Sequence, residues 1–519
     1  MPDRAPTGAP PCRTAARRVL TVHMPRSERP SALILAATAV LVGGCAVGPD
    51  FKKPAAPAVS AYTPTPLPSA LPGVSGAAVP GGEPQQLIRG GQIVADWWTL
   101  FHSAPLDELI QQALDKNADL KAAQAALASA HEDVLAQRGV YFPSVTGNFS
   151  ATRQRQSGQL APTPASNALL FNLFTPEVSI SYVPDVFGLN RRTVESLQAQ
   201  EDSVRYQMVA TYLTLTSNVV VTAIQQASIE AQLDATRQLI DINSSMLKIL
   251  RYQLEKGYAS GVDVAAQESQ LAQVAATLPP LLKQSTQLSD QLAVFAGRFP
   301  SDSPAKFTLA SLRLPAELPV SLPSALVAQR PDVLQAEANM HAASAKVGIA
   351  RANRFPNIAL SADAGSTALA MSQLFSAGTG FWDAGAAGTV PLFEGGTLLH
   401  QERSARATYV QASEQYRSTV LAAFQNVADT LAALEQDAAA LQAAVTAADA
   451  AKVALDLAQR QFQGGYASYA TLLSAEQTYQ QSCITLVQAE ASRFADTAAL
   501  YQALGGGWWQ QPDLAAHAK

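Results

Sequence analysis

The chain has 519 residues, 48% of them hydrophobic and 15% charged, which is enough apolar material for several packed domains and excludes a chain disordered throughout. Lysine and arginine number 36 against 41 acidic residues; six of the basic and two of the acidic ones precede Cys45, so the remainder carries 30 against 39, a net charge of about −9. That balance speaks against a nucleic-acid partner, which would call for a basic face.

In chain order, the first feature is an uncharged, mostly apolar run over 31–44, preceded by Arg26 and Arg29 and ending in Leu41-Val42-Gly43-Gly44-Cys45. It is shorter than the roughly 20 apolar residues that span a bilayer. Small residues directly before a cysteine resemble the lipobox of bacterial lipoproteins. This makes 1–44 a signal peptide and Cys45 the acylated first residue of the mature chain; an ordinary cleaved signal or a membrane anchor is the competing reading. Ala46 stands where an Asp would resemble the inner-membrane retention signal, so the outer membrane is the expected destination. Met24 is an alternative start that would give a leader of more usual length. Residues 45–104 form a lipidated, extended N-terminal segment, and the stretch 48–86, rich in Pro, Ala, Gly and Ser, reads as a tether and not a core element. A single acyl chain holds a protein only marginally, so several chains or a barrel would be needed for firm anchoring.

Two units follow, 105–300 and 331–507, separated by a linker over 301–330 and followed by a tail over 508–519. Each reads as a helix, a β-hairpin, a very long helix and a closing helix. In the first unit the helices are expected over 106–138, 189–256 and 262–296; in the second, over 332–354, 397–463 and from Tyr469 to the glycines at 505–507. The 189–256 stretch contains neither glycine nor proline, and its larger apolar residues recur with a mean spacing of roughly 3.5, the coiled-coil period. Corresponding words repeat at an offset of about 200 residues: Phe142-Pro143 and Phe355-Pro356, Pro184 and Pro391, Gly257-Tyr258-Ala259-Ser260 and Gly465-Tyr466-Ala467-Ser468. A constant offset through several landmarks is the mark of internal duplication. Pro279-Pro280 should kink or offset the closing helix of the first unit.

Between the helices, four stretches alternate. Val145, Gly147, Phe149 and Ala151 oppose Thr146, Asn148, Ser150 and Thr152; Val178, Ile180 and Tyr182 oppose Ser179 and Ser181. Ile358, Leu360, Ala362 and Ala364 oppose Ala359, Ser361 and Asp363, while Trp382, Ala384, Ala386, Val390 and Leu392 oppose Asp383, Gly385 and Thr389. One weakly apolar and one polar face suit a barrel wall between lipid and water. Half-buried strands of a soluble sheet would show the same alternation. Four strands are too few to close a barrel, so the rest would come from other subunits. In each unit the two flanking helices together match the long one in length, as in a tube wall that turns back at its far end.

Six words, read in order, resemble the TolC-type outer-membrane factors, in particular the lipoprotein branch of OprM and NodT. They are Cys45-Ala46-Val47-Gly48-Pro49-Asp50-Phe51, Asp96-Trp97-Trp98-Thr99-Leu100-Phe101, Arg330-Pro331-Asp332-Val333, Phe355-Pro356-Asn357-Ile358, Leu392-Phe393-Glu394-Gly395-Gly396 and Ala503-Leu504-Gly505-Gly506-Gly507-Trp508. The resemblance implies an α+β membrane protein: a homotrimer with one 12-stranded barrel among outer-membrane lipids, continued by a periplasmic α-helical coiled-coil barrel. It implies the passive exit duct of a tripartite efflux system, working with a periplasmic adaptor and an inner-membrane RND-type transporter. The two Gly-Tyr-Ala-Ser turns, Gly257, Tyr258, Ala259, Ser260 and Gly465, Tyr466, Ala467, Ser468, would be the adaptor-contacting tips. Just beyond them lies the periplasmic gate. Many relatives carry acidic rings there, but the corresponding Thr471 and Ser474 are uncharged. Asp263 is the remaining acid, expected to bond between helices or, more simply, to cap its own. Closure would rest on packing around Tyr469, Leu472 and Leu473.

No chemistry competes with this reading. The histidines His23, His102, His131, His341, His400 and His517 show neither paired ligand spacing nor nearby cysteines, so neither metal nor other cofactor is expected. Gly505-Gly506-Gly507 neither follows a strand nor opens a helix and reads as a helix stop. Cys483, within an apolar helical pattern, reads as buried and inert. There is no nucleophile-and-base constellation, hence no enzyme. Two alternatives to drug efflux are a duct for type I protein secretion and a lipid-anchored periplasmic coiled coil with no pore.

Overall fold

The computed structural model describes residues 46–74, 79–159, 169–302, 306–512 and 514. The leader 1–44 and Cys45 lie outside the described residues. In chain order the elements are β1 (Ala70–Leu71), β2 (Gln85–Arg89), α1 (Ala104–Lys116), α2 (Ala118–Arg138), β3 (Ser144–Arg155), β4 (Leu170–Tyr182), α3 (Leu189–Glu255), α4 (Gly261–Ala276) and α5 (Leu278–Phe295). Then come β5 (Glu317–Val320), α6 (Pro323–Gln329), α7 (Pro331–Ala352), β6 (Asn357–Ser366), β7 (Gly380–Thr389), α8 (Thr397–Gln463) and α9 (Tyr469–Ala503). The order helix, strand pair, long helix, closing helix thus occurs twice.

Both long helices have 67 residues, about 100 Å at 1.5 Å per residue, more than three times a bilayer's hydrocarbon thickness. Such a length is stable only when packed along its course. Accordingly α3 runs against α2, α4 and α5, and also against α7 and α9, while α8 runs against α7 and α9. The flanking helices line the long ones, as their lengths suggested.

One helix expectation needs correction. The stretch 106–138 is two helices and not one, because Asn117 takes an extended backbone (φ −58°, ψ 129°). Its Oδ1 accepts from Leu120 N at 3.0 Å and its Nδ2 donates to Phe295 O at 3.1 Å, so the amide caps α2 and ties α1–α2 to the end of α5. Short polar side chains compete with the helical backbone for hydrogen bonds in this way. At 262–296 the expected offset is present: Thr277 separates α4 from α5, and the prolines sit in the first turn of α5, where a missing N–H costs little.

The stretch 48–86 is extended, but it is not a free tether. Leu71 and Gln85 are buried, β1 pairs antiparallel with β2, and β2 pairs in parallel with β5. The 301–330 linker likewise contributes Phe307, Leu309, Leu312 and Leu318 to the core. Widely spaced apolar residues on extended chain fill grooves between helices without leaving a periodic signal. The 508–519 tail begins the same way, since Trp508 is buried and its Nε1 donates to Gln329 O at 2.7 Å.

Three of the six words that carry the resemblance meet in this core. Trp97 stacks on Tyr501 with ring centroids 5.3 Å apart, and Arg330 pairs with Asp332 through two hydrogen bonds of 3.0 and 2.6 Å. Arg330 also donates to Ala503 O at 2.9 Å. The glycine stop after α9 is required sterically: Gly506 has φ +63°, and a Cβ there would lie 2.4 Å from Leu213 Cδ2.

Candidate functional site

The second sheet is antiparallel in the order β3-β4-β6-β7, leaving β3 and β7 as its edges. Its strands have 12, 13, 10 and 10 residues, sufficient for tilted strands to cross a bilayer. Val390 and Leu392, expected within the last strand, lie beyond its end and are exposed. Residues paired across strands share a face, so the register assigns the faces directly. One carries Val145, Phe149, Val178, Ile180, Leu360 and Trp382, all exposed. The other carries serine, threonine and asparagine together with Glu177, Asp363 and Asp383. Asp363 pairs directly opposite Asp383, and no lysine or arginine shares their face. In a soluble sheet one face is covered by core. Here the described residues cover neither, so the apolar face needs another partner.

At the opposite end of the long helices are the two turns. Gly257 and Gly465 take φ +77° and +75°, conformations that favour glycine. Each turn is closed by matching bonds, Tyr258 N to Gln253 O and Tyr466 N to Gln461 O, both 2.8 Å. Tyr258 is 84% and Tyr466 89% exposed, unusual for aromatic side chains unless a partner covers them. Ser260 and Ser468 cap α4 and α9, while Ala259 and Ala467 are half-buried beneath the turns.

The residues behind the tips divide in two. Tyr469 and Leu472 are buried with Met246, Leu250, Val264 and Leu455, and Leu473 packs on the same cluster. Thr471 and Ser474 are exposed. Asp263 completes a capping box with Ser260, its Oδ2 accepting from Ser260 N at 2.9 Å and from Ser260 Oγ at 2.7 Å. Within the subunit it caps its own helix, and neither bond is the expected one between helices. Thr471 occupies the equivalent place and contacts Ser468 Oγ at 3.0 Å.

A polar network that sequence reasoning missed joins the two halves here. Tyr469 Oη donates to Gln267 Oε1, and Gln267 Nε2 donates to Asn243 O and Oδ1 at 3.1 and 3.0 Å. One turn on, Gln477 Nε2 donates to Gln270 Oε1 at 3.1 Å. Glu476, 2% exposed, lies beside the Gln267 side chain without a well-formed hydrogen bond, and burial, offset only in part by Gln267, pushes its pKa up to about 7. Its signal was present: residues 469, 472 and 476 lie on one helical stripe, so a carboxylate occupies a core position. Cys483 is half-buried and not fully enclosed, and burial raises the pKa of its thiol.

Against this geometry the comparisons are decisive. Residues 109–298 and 322–506 match the outer membrane efflux protein family. The chain belongs to that family. Its matched segments coincide with the two helix-strand-helix units. This efflux protein is 29% identical over 487 residues to the probable efflux pump outer membrane protein TtgC of Pseudomonas putida, covering 93% of this chain and 96% of that one. It is 30% identical over 423 residues to the pyoverdine export outer membrane protein OpmQ of Pseudomonas aeruginosa, covering 80% and 88%. Among solved structures, the outer membrane protein VceC of Vibrio cholerae superposes with a TM-score of 0.73 at 27% identity, covering 80% of this chain and 99% of that one. This efflux protein is therefore an outer-membrane channel component of an efflux system, and its relatives are channels, not enzymes.

Proposed function

We propose that three copies join edge to edge, β3 of one sheet beside β7 of the next, to close an outer-membrane barrel whose lumen continues between the long helices. The observation carrying this reading is the four-stranded sheet, bare on both faces and open at both edges among the described residues. Unpaired edges and an uncovered apolar face are costly in water, and closure in lipid removes both costs. The polar face, with Glu177, Asp363 and Asp383, becomes the lumen wall. Cys45 carries lipid at the mature N-terminus. The recurring element order supports an internal duplication. The Tyr258 and Tyr466 tips meet a periplasmic adaptor, which links the duct to an RND-type inner-membrane pump. The gate between the tips is held by the Tyr469, Leu472 and Leu473 packing and the Gln267 network, without an acidic ring at Thr471 or Ser474.

Transport is passive, because the chain presents a conduit and leaves the energy to the pump. The cargo is small toxic molecules. Deleting the gene in its native host should raise accumulation of a fluorescent pump substrate, and the wild-type gene should reverse this. Unchanged accumulation together with loss of a secreted protein would overturn the efflux reading in favour of protein secretion.

A further inference from the structure

The word Ala46-Val47-Gly48-Pro49-Asp50-Phe51 is not needed by the duct, yet the folded body holds it closely. Val47 N donates to Phe187 O at 3.1 Å, and Arg192, 4% exposed, reaches three partners on either side of it. Its Nη2 donates to Asp50 Oδ1 at 2.6 Å, its Nη1 to Glu195 Oε2 at 2.7 Å and its Nε to Val47 O at 3.3 Å. Phe51 stacks on His341 at 4.3 Å and packs against Met340, Ala343 and Ala412, while His341 Nε2 is 3.0 Å from Glu195 Oε1. Lys53 pairs with Glu337 at 3.0 Å.

Three glycines make room for this crossing. A Cβ on Gly48 would lie 2.5 Å from Gly348 Cα, one on Gly348 would lie 2.9 Å from Arg192 Cδ, and one on Gly188 would lie 2.6 Å from Ala46 Cα. Gly188 caps α3 just after β4, and the neighbouring Phe187 stacks on Phe355, just before β6, at 5.0 Å. The segment is thus seated where the sheet meets the helices.

We propose that 46–53 is a clasp that fixes the processed N-terminus to this joint, with Arg192 as its positioning residue. The lipid on Cys45 then enters the membrane at one set point beside the base of β4. The placement of the lipid rests on the lipidation proposed above; the clasp itself does not. An extended segment without such fastening would let the acyl chains wander over the length of the tether.

Limited trypsin digestion of the full, membrane-extracted protein tests both parts separately. Cleavage after Lys52 requires the clasp to open, Lys53 is followed by proline and resists cutting, and cleavage after Lys256 in the exposed tip serves as the internal clock. The wild type should survive at Lys52 while Lys256 is cut. Asp50→Ala, at an exposed carboxylate that the fold does not need, and Arg192→Gln should each be cut at Lys52 about tenfold faster relative to that clock, the change expected for roughly 1.4 kcal/mol. The double variant should be no faster than Arg192→Gln alone, because both act through one contact. Should Arg192→Gln fail to fold, Asp50→Ala decides alone. Equal Lys52 cleavage in the wild type and Asp50→Ala overturns the clasp. The mass of the released 45–52 peptide is a separate readout: absence of acyl groups overturns the lipidation and leaves the clasp standing or falling on the rates.

Discussion

Replacing Glu476 by glutamine should stabilise the periplasmic tip, increasingly as the pH rises from about 4.5 to about 7 and fully above that. The carboxylate is buried between the two halves of the chain, lies beside the Gln267 side chain without a well-formed hydrogen bond, and its charge acts on Tyr469. Its pKa rises from 4.5 to about 7 because burial disfavours the charged form. The packed tip therefore binds more protons than the opened one. Its stability from this group is complete below about pH 4.5 and is lost as pH rises through about 7. At 1.36 kcal/mol per pKa unit the loss amounts to about 3 kcal/mol at pH 8. Glutamine keeps the shape and removes the charge. Amide exchange in α4 and α9 near the tip, corrected for its intrinsic pH dependence, should be about a hundredfold slower in Glu476→Gln than in the wild type at pH 8, and equal at pH 4.5. A ratio that is the same at both pH values would refute the reasoning.

Three further substitutions probe the tip. Tyr258→Asp or Tyr466→Asp should abolish drug tolerance without changing trimer stability or abundance, because both rings project from turns whose own bonds are backbone bonds; unchanged tolerance would remove them from the adaptor contact. With Thr471 and Ser474 uncharged, millimolar divalent cations should leave conductance nearly unaltered. Thr471→Asp, which in the proposed trimer would place three carboxylates around the axis, should introduce a block; strong block of the wild type would contradict a gate without an acidic ring.

Much of the architecture was legible because it is written in periodicity and punctuation. The absence of glycine and proline marks α8 to the residue and α3 to within one, and Gly257 and Gly465 mark the turns. Strict alternation marks all four strands, while coverage of the sheet by the rest of the chain is not a local property and cannot be read from it. What escaped was tertiary. Asn117 breaks a helix because its amide has a partner on α5, nearly 180 residues away. Leu71 and Gln85 are buried by grooves that composition cannot reveal. Asp263 reads from sequence either as a bond between helices or as a helix cap, and within the subunit Ser260 takes its carboxylate. Glu476 and Gln267 stood on readable apolar stripes, but only the packing of α4 against α9 makes them neighbours.

The central claim, that copies of this sheet close into a conducting barrel, is tested most directly by recording currents from the purified protein in planar bilayers. The account predicts discrete conductance steps with a preference for cations, set by Glu177, Asp363 and Asp383 on the otherwise uncharged lumen face, and a preference that falls in Asp363→Asn. A protein that inserts as an intact trimer yet produces no steps, or one whose steps favour anions, would contradict it.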